Sequence, residues 1–218
     1  MTLVKVCGLT REEDIKYANE LLPDYVGFVF CKSKRQVSLE QGKKLIIDKL
    51  DKRIKTVGVF QNDDIEKVKC IAVNLKLNVI QLHGIEDKNY IQALQEFKLW
   101  KCMSIDVASS SQEDLKEAIK GYEEKINDIS KYNIEAMLVD SSAKGSSGGS
   151  GMSFNWNILN NLKITKPLVM AGGLNPGNIE EALRKVKPYA VDVSSGVEEN
   201  GVKNFEKIKS FIEKVRNF

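Results

Sequence analysis

The chain alternates eight times between a short run of β-branched and aliphatic residues and a longer segment of helical period. Apolar residues spaced by three and four indicate amphipathic helices, and the short aliphatic runs between them indicate buried strands. The predicted strands lie at 3–7, 25–30, 54–60, 78–82, 98–103, 136–140, 167–171 and 189–194. The predicted helices lie at 11–22, 39–50, 63–75, 87–96, 112–132, 155–162, 177–186 and 203–216.

This regular alternation predicts an α/β fold with a parallel sheet covered by helices. An open, doubly wound sheet would show the same alternation, but the count of eight favours a closed (β/α)8, or TIM, barrel. The length of 218 residues fits such a barrel as a single domain, and no Pro/Ser-rich linker divides the chain. We therefore predict one (β/α)8 barrel domain over residues 1–218.

Two of the predicted helices carry start signals. Ser38 is followed three residues later by Gln41, the spacing of a capping box. Asn175 and Pro176 are interpreted as the cap and the first-turn proline of the helix at 177–186.

Composition excludes several classes of function. The net charge of +3 is too small to suggest a nucleic-acid partner, and the lysines of the chain are scattered rather than clustered. Four cysteines form no C-x-x-C pair and no ligand-like spacing with the only histidine, so neither zinc nor a disulfide framework is expected. The chain has no signal-peptide pattern and no apolar run of membrane-spanning length. We expect a reduced, cytoplasmic protein with no membrane partner.

Two glycine-bearing turns follow the last two predicted strands, within 167–176 and 190–198. Residues with little or no side chain let backbone N–H groups approach an anion closely. In a parallel barrel, the turns after the last two strands commonly form a phosphate site with a short helix N-terminus. The sequence therefore predicts a phosphorylated small molecule at the C-terminal face of the barrel.

A second glycine-rich segment, 141–153, follows the strand that ends in Asp140. Its low complexity would also fit a flexible linker. Its position directly after a strand favours the loop that connects the sixth strand to its helix, where function resides in this fold.

Alternation along each strand separates side chains that face the barrel interior from those that face the helices. Val4 and Val6 would face the helices. Leu3, Lys5 and Cys7 would face the barrel interior. On three other strands two residues would share one face: Gln81 with His83, Leu138 with Asp140, and Asp192 with Ser194. Lys5 and Asp192 would lie on neighbouring strands where the barrel closes, which predicts a buried ion pair. The alternative is that Lys5 reaches the lower rim and Asp192 supports a loop.

Cys7 and Asp140 end their strands at the predicted catalytic face. A thiol and a carboxyl group facing each other across the barrel mouth could supply a base and an acid. The thiol acts as a base only as thiolate, so its pKa must fall, and Lys5 could contribute to that shift. Alternatively, Cys7 is a small core residue and Asp140 caps a loop.

Arg35 and His83 are further candidates for substrate contact. The planar guanidinium of Arg35 suits a second anionic group such as a carboxylate, although an exposed loop arginine is the plain alternative. His83 could equally be a hydrogen-bonded histidine on the rim.

Taken together, nine segments resemble the phosphoribosylanthranilate isomerase family, in order and over nearly the whole chain. They are 5–10, 26–30, 33–38, 57–60, 80–84, 138–140, 148–151, 171–176 and 191–198. The resemblance implies an Amadori rearrangement in tryptophan biosynthesis, which converts N-(5-phosphoribosyl)anthranilate to 1-(2-carboxyphenylamino)-1-deoxyribulose 5-phosphate. It also implies that Cys7 is the general base and Asp140 the general acid, with no metal or organic cofactor.

The same resemblance implies how the substrate is bound. Arg35 would hold the anthranilate carboxylate. The phosphate would rest on backbone N–H groups of Gly149, Gly172, Gly173, Ser195 and Gly196. Further substrate contacts are expected from His83, Asn175 and Asp192. The chain could be a monomer or a homodimer.

The chain departs from the family pattern at two positions. Met152 stands where the family usually has lysine, and Asn155 where aspartate is frequent. A lost cation beside a closing loop would weaken substrate affinity, and Lys144 is a possible substitute.

Three other functions were weighed. An isomerase of histidine synthesis would use two aspartates, one of them at the place of Cys7. Indole-glycerol-phosphate synthase would need lysines at strand ends that this chain lacks. A non-catalytic sugar-phosphate-binding barrel would require neither Cys7 nor Asp140.

Overall fold

A computed structural model describes residues 1–105, 112–140 and 157–218 of the chain. Eight parallel strands form a closed barrel in sequence order. They are β1 Leu3–Cys7, β2 Tyr25–Val29, β3 Lys55–Phe60, β4 Val79–Leu82, β5 Leu99–Ser104, β6 Ala136–Asp140, β7 Leu168–Ala171 and β8 Ala190–Val193. Each strand agrees with its predicted counterpart to within one residue at either end.

The helices in the described part of the chain surround the barrel. They are α1 Glu12–Leu21, α2 Leu39–Gly42, α3 Ile65–Asn74, α4 Lys88–Ala93, α5 Gln112–Ser130, α6 Asn157–Asn160, α7 Ile179–Lys185 and α8 Phe205–Arg216. Helix α2 continues into a π-helical turn over Lys43–Ile47. A search of the described residues finds no helix that combines the length and the apolar character needed to cross a membrane.

The first and last strands pair directly, with Lys5 opposite Asp192. This pairing closes the sheet, so the open doubly wound alternative is wrong and the predicted closed barrel is confirmed.

Two apolar layers hold the barrel together. Inside it, a cluster around Trp100 includes Tyr25, Val57 and Leu138, with Leu3 packed against it. The larger layer lies between the strands and the helices and includes both Val4 and Val6. The predicted inward and outward faces of β1 are therefore confirmed.

Of the two predicted helix starts, one is confirmed and one is wrong. The Ser38 hydroxyl accepts a hydrogen bond from the backbone N–H of Gln41 at 3.1 Å, as a cap does. Asn175 does not cap α7, whose N-cap is Asn178. The Asn175 side chain instead accepts from the Gly177 N–H at 2.8 Å, which closes a turn before the helix begins.

A short hairpin between β8 and α8 was not predicted. After a 3₁₀ turn over Ser195–Val197, strands β9 Glu198–Glu199 and β10 Val202–Lys203 pair in antiparallel fashion. Asn200 and Gly201 connect them with φ of 50° and 81°. Positive φ at both central residues is the geometry that Asn-Gly favours in two-residue hairpins.

Candidate active site

The C-terminal ends of the parallel strands meet at one rim of the barrel, and most of the predicted site residues lie there. Cys7 ends β1, Asp140 ends β6, and His83 directly follows β4. Arg35 lies in the loop after β2. The segment 141–153, with Gly149 and Met152, and the nearby Asn155 lie outside the described residues.

The Cys7 side chain is buried in a space that a glycine on the next strand leaves open. A Cβ at Gly27 of β2 would lie 2.6 Å from the Cys7 Sγ atom. The Cys7 carbonyl accepts a hydrogen bond from the Ser194 hydroxyl at 3.0 Å. The chain then turns at Gly8 with φ of 80°, a conformation that glycine adopts without strain. Ser194 therefore fixes the backbone of Cys7, and Gly27 of β2 leaves the space in which the thiol lies.

Directly below Cys7 on the same face of β1 lies the predicted ion pair. Lys5 Nζ is 2.8 Å from Asp192 Oδ2, and the Lys5 side chain is fully buried. Burial alone would lower the pKa of Lys5, but the charges of Asp192 and Cys7 hold it above its ordinary value. The buried-pair prediction is confirmed. Asp192 therefore contacts Lys5, and its contact with substrate stays a prediction.

Arg35 contacts a carboxylate of the protein itself. Its Nε and Nη2 atoms donate to the two oxygens of Glu198 in β9, each at 2.7 Å. This fork geometry is the strong bidentate form of an arginine–carboxylate pair. Burial would raise the pKa of Glu198, but Arg35 and Lys203 hold it below its ordinary value. The sequence analysis missed Glu198, which lies 163 residues from its partner.

Lys203 of β10 also contacts Glu198, through the same Oε1 atom that accepts from Arg35 Nε. Its Nζ atom is 2.6 Å from Glu198 Oε1 and also donates to Ser194, at 3.0 Å to the carbonyl oxygen and 3.3 Å to the hydroxyl. The side chain is only 1% exposed. Lys203 was not a candidate in the sequence analysis, although the Asn200–Gly201 turn marks the hairpin that positions it.

His83 lies between the Asp140 carboxyl group and a thiol. Its Nε2 atom is 3.6 Å from Asp140 Oδ2 and 3.6 Å from Cys102 Sγ, and its Nδ1 atom is 3.0 Å from Gln81 Nε2. Burial alone would lower the pKa of His83, but Asp140 and Cys102 raise it above its ordinary value. The predicted shared face of Gln81 and His83 is thus borne out by a direct contact.

A second buried ion pair fixes the loop that follows His83. Lys101 Nζ of β5 lies 2.8 Å from Glu86 Oε2 and 2.7 Å from the Gly84 carbonyl oxygen. The Glu86 carboxylate also accepts the backbone N–H groups of Gly84 and Asn62. The loops after β3 and β4 are therefore tied to β5. Neither Glu86 nor Lys101 was predicted as part of this region.

The two glycine-bearing turns lie against each other at the rim of the barrel, and the phosphate site there stays a prediction. Gly172 and Gly173 have φ of 91° and 64°. The Gly173 carbonyl accepts the side-chain amides of Asn175 and Asn178 at 3.2 and 3.0 Å, which fixes the turn. A Cβ at Gly196 would lie 1.9 Å from the Leu174 carbonyl oxygen, so the turns after β7 and β8 touch.

Residues 1–105, 112–140 and 157–218 contain no cluster of side chains that could ligate a metal ion. The arrangement at the rim instead combines a buried thiol, a carboxyl group beside a histidine, an arginine and two touching turns. Such a set can move protons and bind anions.

Comparison with known proteins matches the chain to one family. Residues 4–214 match the family model described as N-(5'phosphoribosyl)anthranilate (PRA) isomerase. The N-(5'-phosphoribosyl)anthranilate isomerase of Thermoanaerobacter sp. (strain X514) is 49% identical over 216 residues, which cover 99% of this chain and 98% of that protein. The protein of the same name from Clostridium acetobutylicum is 48% identical, with both chains fully covered.

Solved structures agree with the sequence comparisons. The phosphoribosyl anthranilate isomerase of Thermotoga maritima is 34% identical, with a TM-score of 0.79 and full coverage of both chains. A phosphoribosyl anthranilate isomerase in complex with reduced 1-(o-carboxyphenylamino)-1-deoxyribulose 5-phosphate is 32% identical, with a TM-score of 0.76 and full coverage. The match in sequence and in fold extends over nearly all of the chain. The chain therefore belongs to the N-(5'-phosphoribosyl)anthranilate isomerase family.

Proposed function

We propose that this chain converts N-(5-phosphoribosyl)anthranilate to 1-(2-carboxyphenylamino)-1-deoxyribulose 5-phosphate, with Asp140 as the general acid and Cys7 as the general base. Family membership makes the chain an isomerase of tryptophan biosynthesis. The observation that carries the proposal for the residues is that a buried thiol and a carboxyl group end β1 and β6 of the same barrel.

Asp140 begins the reaction. It gives a proton to the furanose ring oxygen while the bond from that oxygen to C1 breaks. The nitrogen lone pair forms the C1=N bond, which leaves an open-chain Schiff base. The contact between Asp140 and His83 supports this role, because the imidazolium of His83 can pass a proton to the Asp140 carboxylate, which then gives it to the ring oxygen.

Cys7 completes the reaction. Its thiolate removes the proton from C2, and the electrons of the C2–H bond move toward the iminium nitrogen to give an enolamine. Tautomerisation then yields the ketone. The iminium serves as the electron sink, so this route requires no metal or organic cofactor. The neighbouring Lys5 supports the role, because a nearby cation favours the thiolate.

The two anionic ends of the substrate have separate partners. The phosphate is bound by the N–H groups of Gly172, Gly173, Ser195 and Gly196, with Gly149 as a further expected donor. Arg35 binds the anthranilate carboxylate. Its fork to Glu198 uses Nε and Nη2, so the edge that includes Nη1 supports a second carboxylate contact. His83, Asn175 and Asp192 are the remaining proposed contacts.

The cytoplasm is the proposed location of the protein. This location suits its four cysteines, which are all free thiols.

The decisive experiment follows the decay of anthranilate fluorescence with freshly generated N-(5-phosphoribosyl)anthranilate. We expect Cys7→Ala and Asp140→Ala each to lower kcat by at least about 10²-fold, because each removes a proton-transfer group. Cys70→Ala is the matched control, because this thiol is exposed on α3, and it should keep the wild-type kcat. Binding without turnover by the wild-type protein would support the non-catalytic sugar-phosphate barrel instead. Full activity in either variant would refute the role given to that residue.

A further inference from the structure

Five charged side chains surround the end of β1 where Cys7 lies. We name them the β1 charge cluster: Lys5, Arg35, Asp192, Glu198 and Lys203. Lys5 and Lys203 are buried, the two carboxylates are at most 9% exposed, and Arg35 is 32% exposed. Two ion pairs therefore lie beside one thiol, with a third cation in addition.

Lys203 reaches Cys7 through a single serine. The Ser194 hydroxyl lies 3.3 Å from Lys203 Nζ and donates to the Cys7 carbonyl at 3.0 Å. The neighbouring Gly8 packs against the same groups, because a Cβ there would lie 2.5 Å from Arg35 Cδ and 3.2 Å from Ser194 Oγ. The backbone of Cys7 and Gly8 and the cluster thus share continuous contacts.

Lys203 has the surroundings of a charged ammonium group. Its three contacts, with Glu198 Oε1 and with both oxygens of Ser194, match the three N–H donors of that group. Burial lowers the pKa of Lys203, while the negative charges of Glu198 and Cys7 oppose that shift.

The charges of the cluster do not balance without Cys7. Three cations face two carboxylates, which leaves one positive charge in excess in a region where Arg35 alone of the five side chains is more than 9% exposed. An uncompensated buried charge is costly, so a negative group beside it is favoured. On β2, the residue that lies against the thiol is Gly27, which has no side chain to supply the missing charge. The thiolate of Cys7 would complete the balance.

We propose that Lys203 is a positioning residue for the isomerase reaction, whose ammonium stabilises the Cys7 thiolate and, through their shared partner Glu198, holds Arg35 in place. This proposal rests on the proposed role of Cys7 as the base. Its test measures the thiol directly, so the outcome does not depend on whether Cys7 carries the reaction.

The experiment records the rate of Cys7 alkylation by iodoacetamide against pH, with each cysteine resolved by mass spectrometry. In Lys203→Met, the midpoint pH for Cys7 should rise by about one unit, because one nearby positive charge is lost. The rate below the midpoint should fall about tenfold. Lys209→Met is the control, because Lys209 is exposed on α8, and its profile should match the wild type. An unchanged midpoint in Lys203→Met overturns the proposal.

Glu198→Gln separates charge from structural support. Removing a negative charge from the same contact should leave the Cys7 midpoint at or below that of the wild type. A merely structural role of the hairpin would raise the midpoint in both variants alike, and that result overturns the proposal. If Lys203→Met fails to fold, Glu198→Gln alone decides, because a raised midpoint in that variant contradicts the charge argument. A Cys7→Ala variant that keeps its activity would refute the role of Cys7 as the base and leave the alkylation result for Lys203→Met standing.

Discussion

His83 is the only histidine of the chain, and its surroundings favour the charged imidazolium. The Gln81 Oε1 atom is buried with no hydrogen-bond partner among the described residues, while the other end of that amide lies against His83 Nδ1. Rotating the amide by 180° would let a protonated Nδ1–H donate to Oε1 and would satisfy both groups. The hydrogen bonds and the raised pKa therefore point to the same protonation state.

We predict that His83 stays protonated through neutral pH. Because there is no other histidine, its ring resonance in an NMR titration is unambiguous and should show the charged form from pH 6 to 8. Asp140→Asn should lower the midpoint, since it removes a negative partner. A wild-type midpoint at or below the ordinary value of about 6.5 would contradict this prediction.

The same shift has a consequence for stability. A pKa raised by folding stabilises the protein fully below the unfolded value of about 6.5, and this contribution is lost as pH rises through the folded pKa. The free energy of unfolding of the wild type relative to His83→Gln should therefore decline above pH 6.5. Urea titrations at pH 6, 7.5 and 9 measure the difference, and a difference that grows with pH would oppose the assignment.

Two glycines of the glycine-bearing turns after β7 and β8 should respond differently to alanine. A Cβ at Gly173 has no described atom within 4 Å, so Gly173→Ala should add mainly the strain of a φ of 64°, about 1 kcal/mol. A Cβ at Gly196 would overlap the backbone of Leu174, so Gly196→Ala should cost about 2–3 kcal/mol and raise KM. Urea unfolding and steady-state kinetics check both variants, and equal losses would show that the contact between the turns is unimportant.

Contacts between individual residues could be predicted from the sequence only where both residues lie on strands long enough to show an alternating pattern. The Lys5–Asp192 pair was predictable because inward alternation and barrel closure place both residues on facing positions. The Arg35–Glu198 pair was not, because Glu198 lies on a two-residue strand that is too short to show a period. The position of Arg35 in a loop made it a candidate for substrate contact, but its partner Glu198 could not be predicted.

Among the elements, the loops after β3 and β4 depend on one buried ion pair. Lys101→Met would leave the Glu86 carboxylate buried without its cation, which should lower the free energy of unfolding by about 3–5 kcal/mol. Lys185→Met in α7 is the control, because its pair with Glu181 is exposed and should contribute about 0.3–0.5 kcal/mol. Denaturant unfolding measures both, and similar losses would contradict the importance given to the buried pair. Lys101 also donates to the Gly84 carbonyl, and Gly84 directly follows His83, which contacts Asp140. Lys101→Met should therefore displace His83 and lower kcat.

The elements themselves were largely predictable, and the exceptions have local causes. Each βα unit buries an aliphatic strand under an amphipathic helix. The change from a short aliphatic run to apolar residues spaced by three and four therefore marks where the strand ends and the helix begins. The start of α7 was misplaced because Asn175 closes a turn with Gly177, and an asparagine suits such a turn as well as a cap. The β9–β10 hairpin was missed although Asn200-Gly201 is a strong turn signal. That omission removed Glu198 and Lys203 from the predicted site.

For the whole molecule, closure brings the two ends of the chain together. β1 pairs with β8, and Lys5 bonds to Asp192 across 187 residues of sequence. A contact between such distant residues orders the chain only when the strands between them are in place. The candidate site depends on closure in the same way, because Cys7 of β1 and the glycine-bearing turns after β7 and β8 lie on opposite sides of the β1–β8 seam. Folding of the barrel and assembly of the site should therefore be one event.

This argument predicts how a variant at the seam unfolds. Lys5→Met leaves Asp192 charged and buried and should lower the free energy of unfolding by about 3–5 kcal/mol, while adding Asp192→Asn should recover part of the loss. If residues 1–218 are one domain, far-UV and near-UV circular dichroism should shift together along the urea axis, since Trp100 reports on the barrel interior. Separated transitions would mean that part of the barrel survives an open seam. In that case the two halves would be independent units, and the single-domain prediction would be wrong.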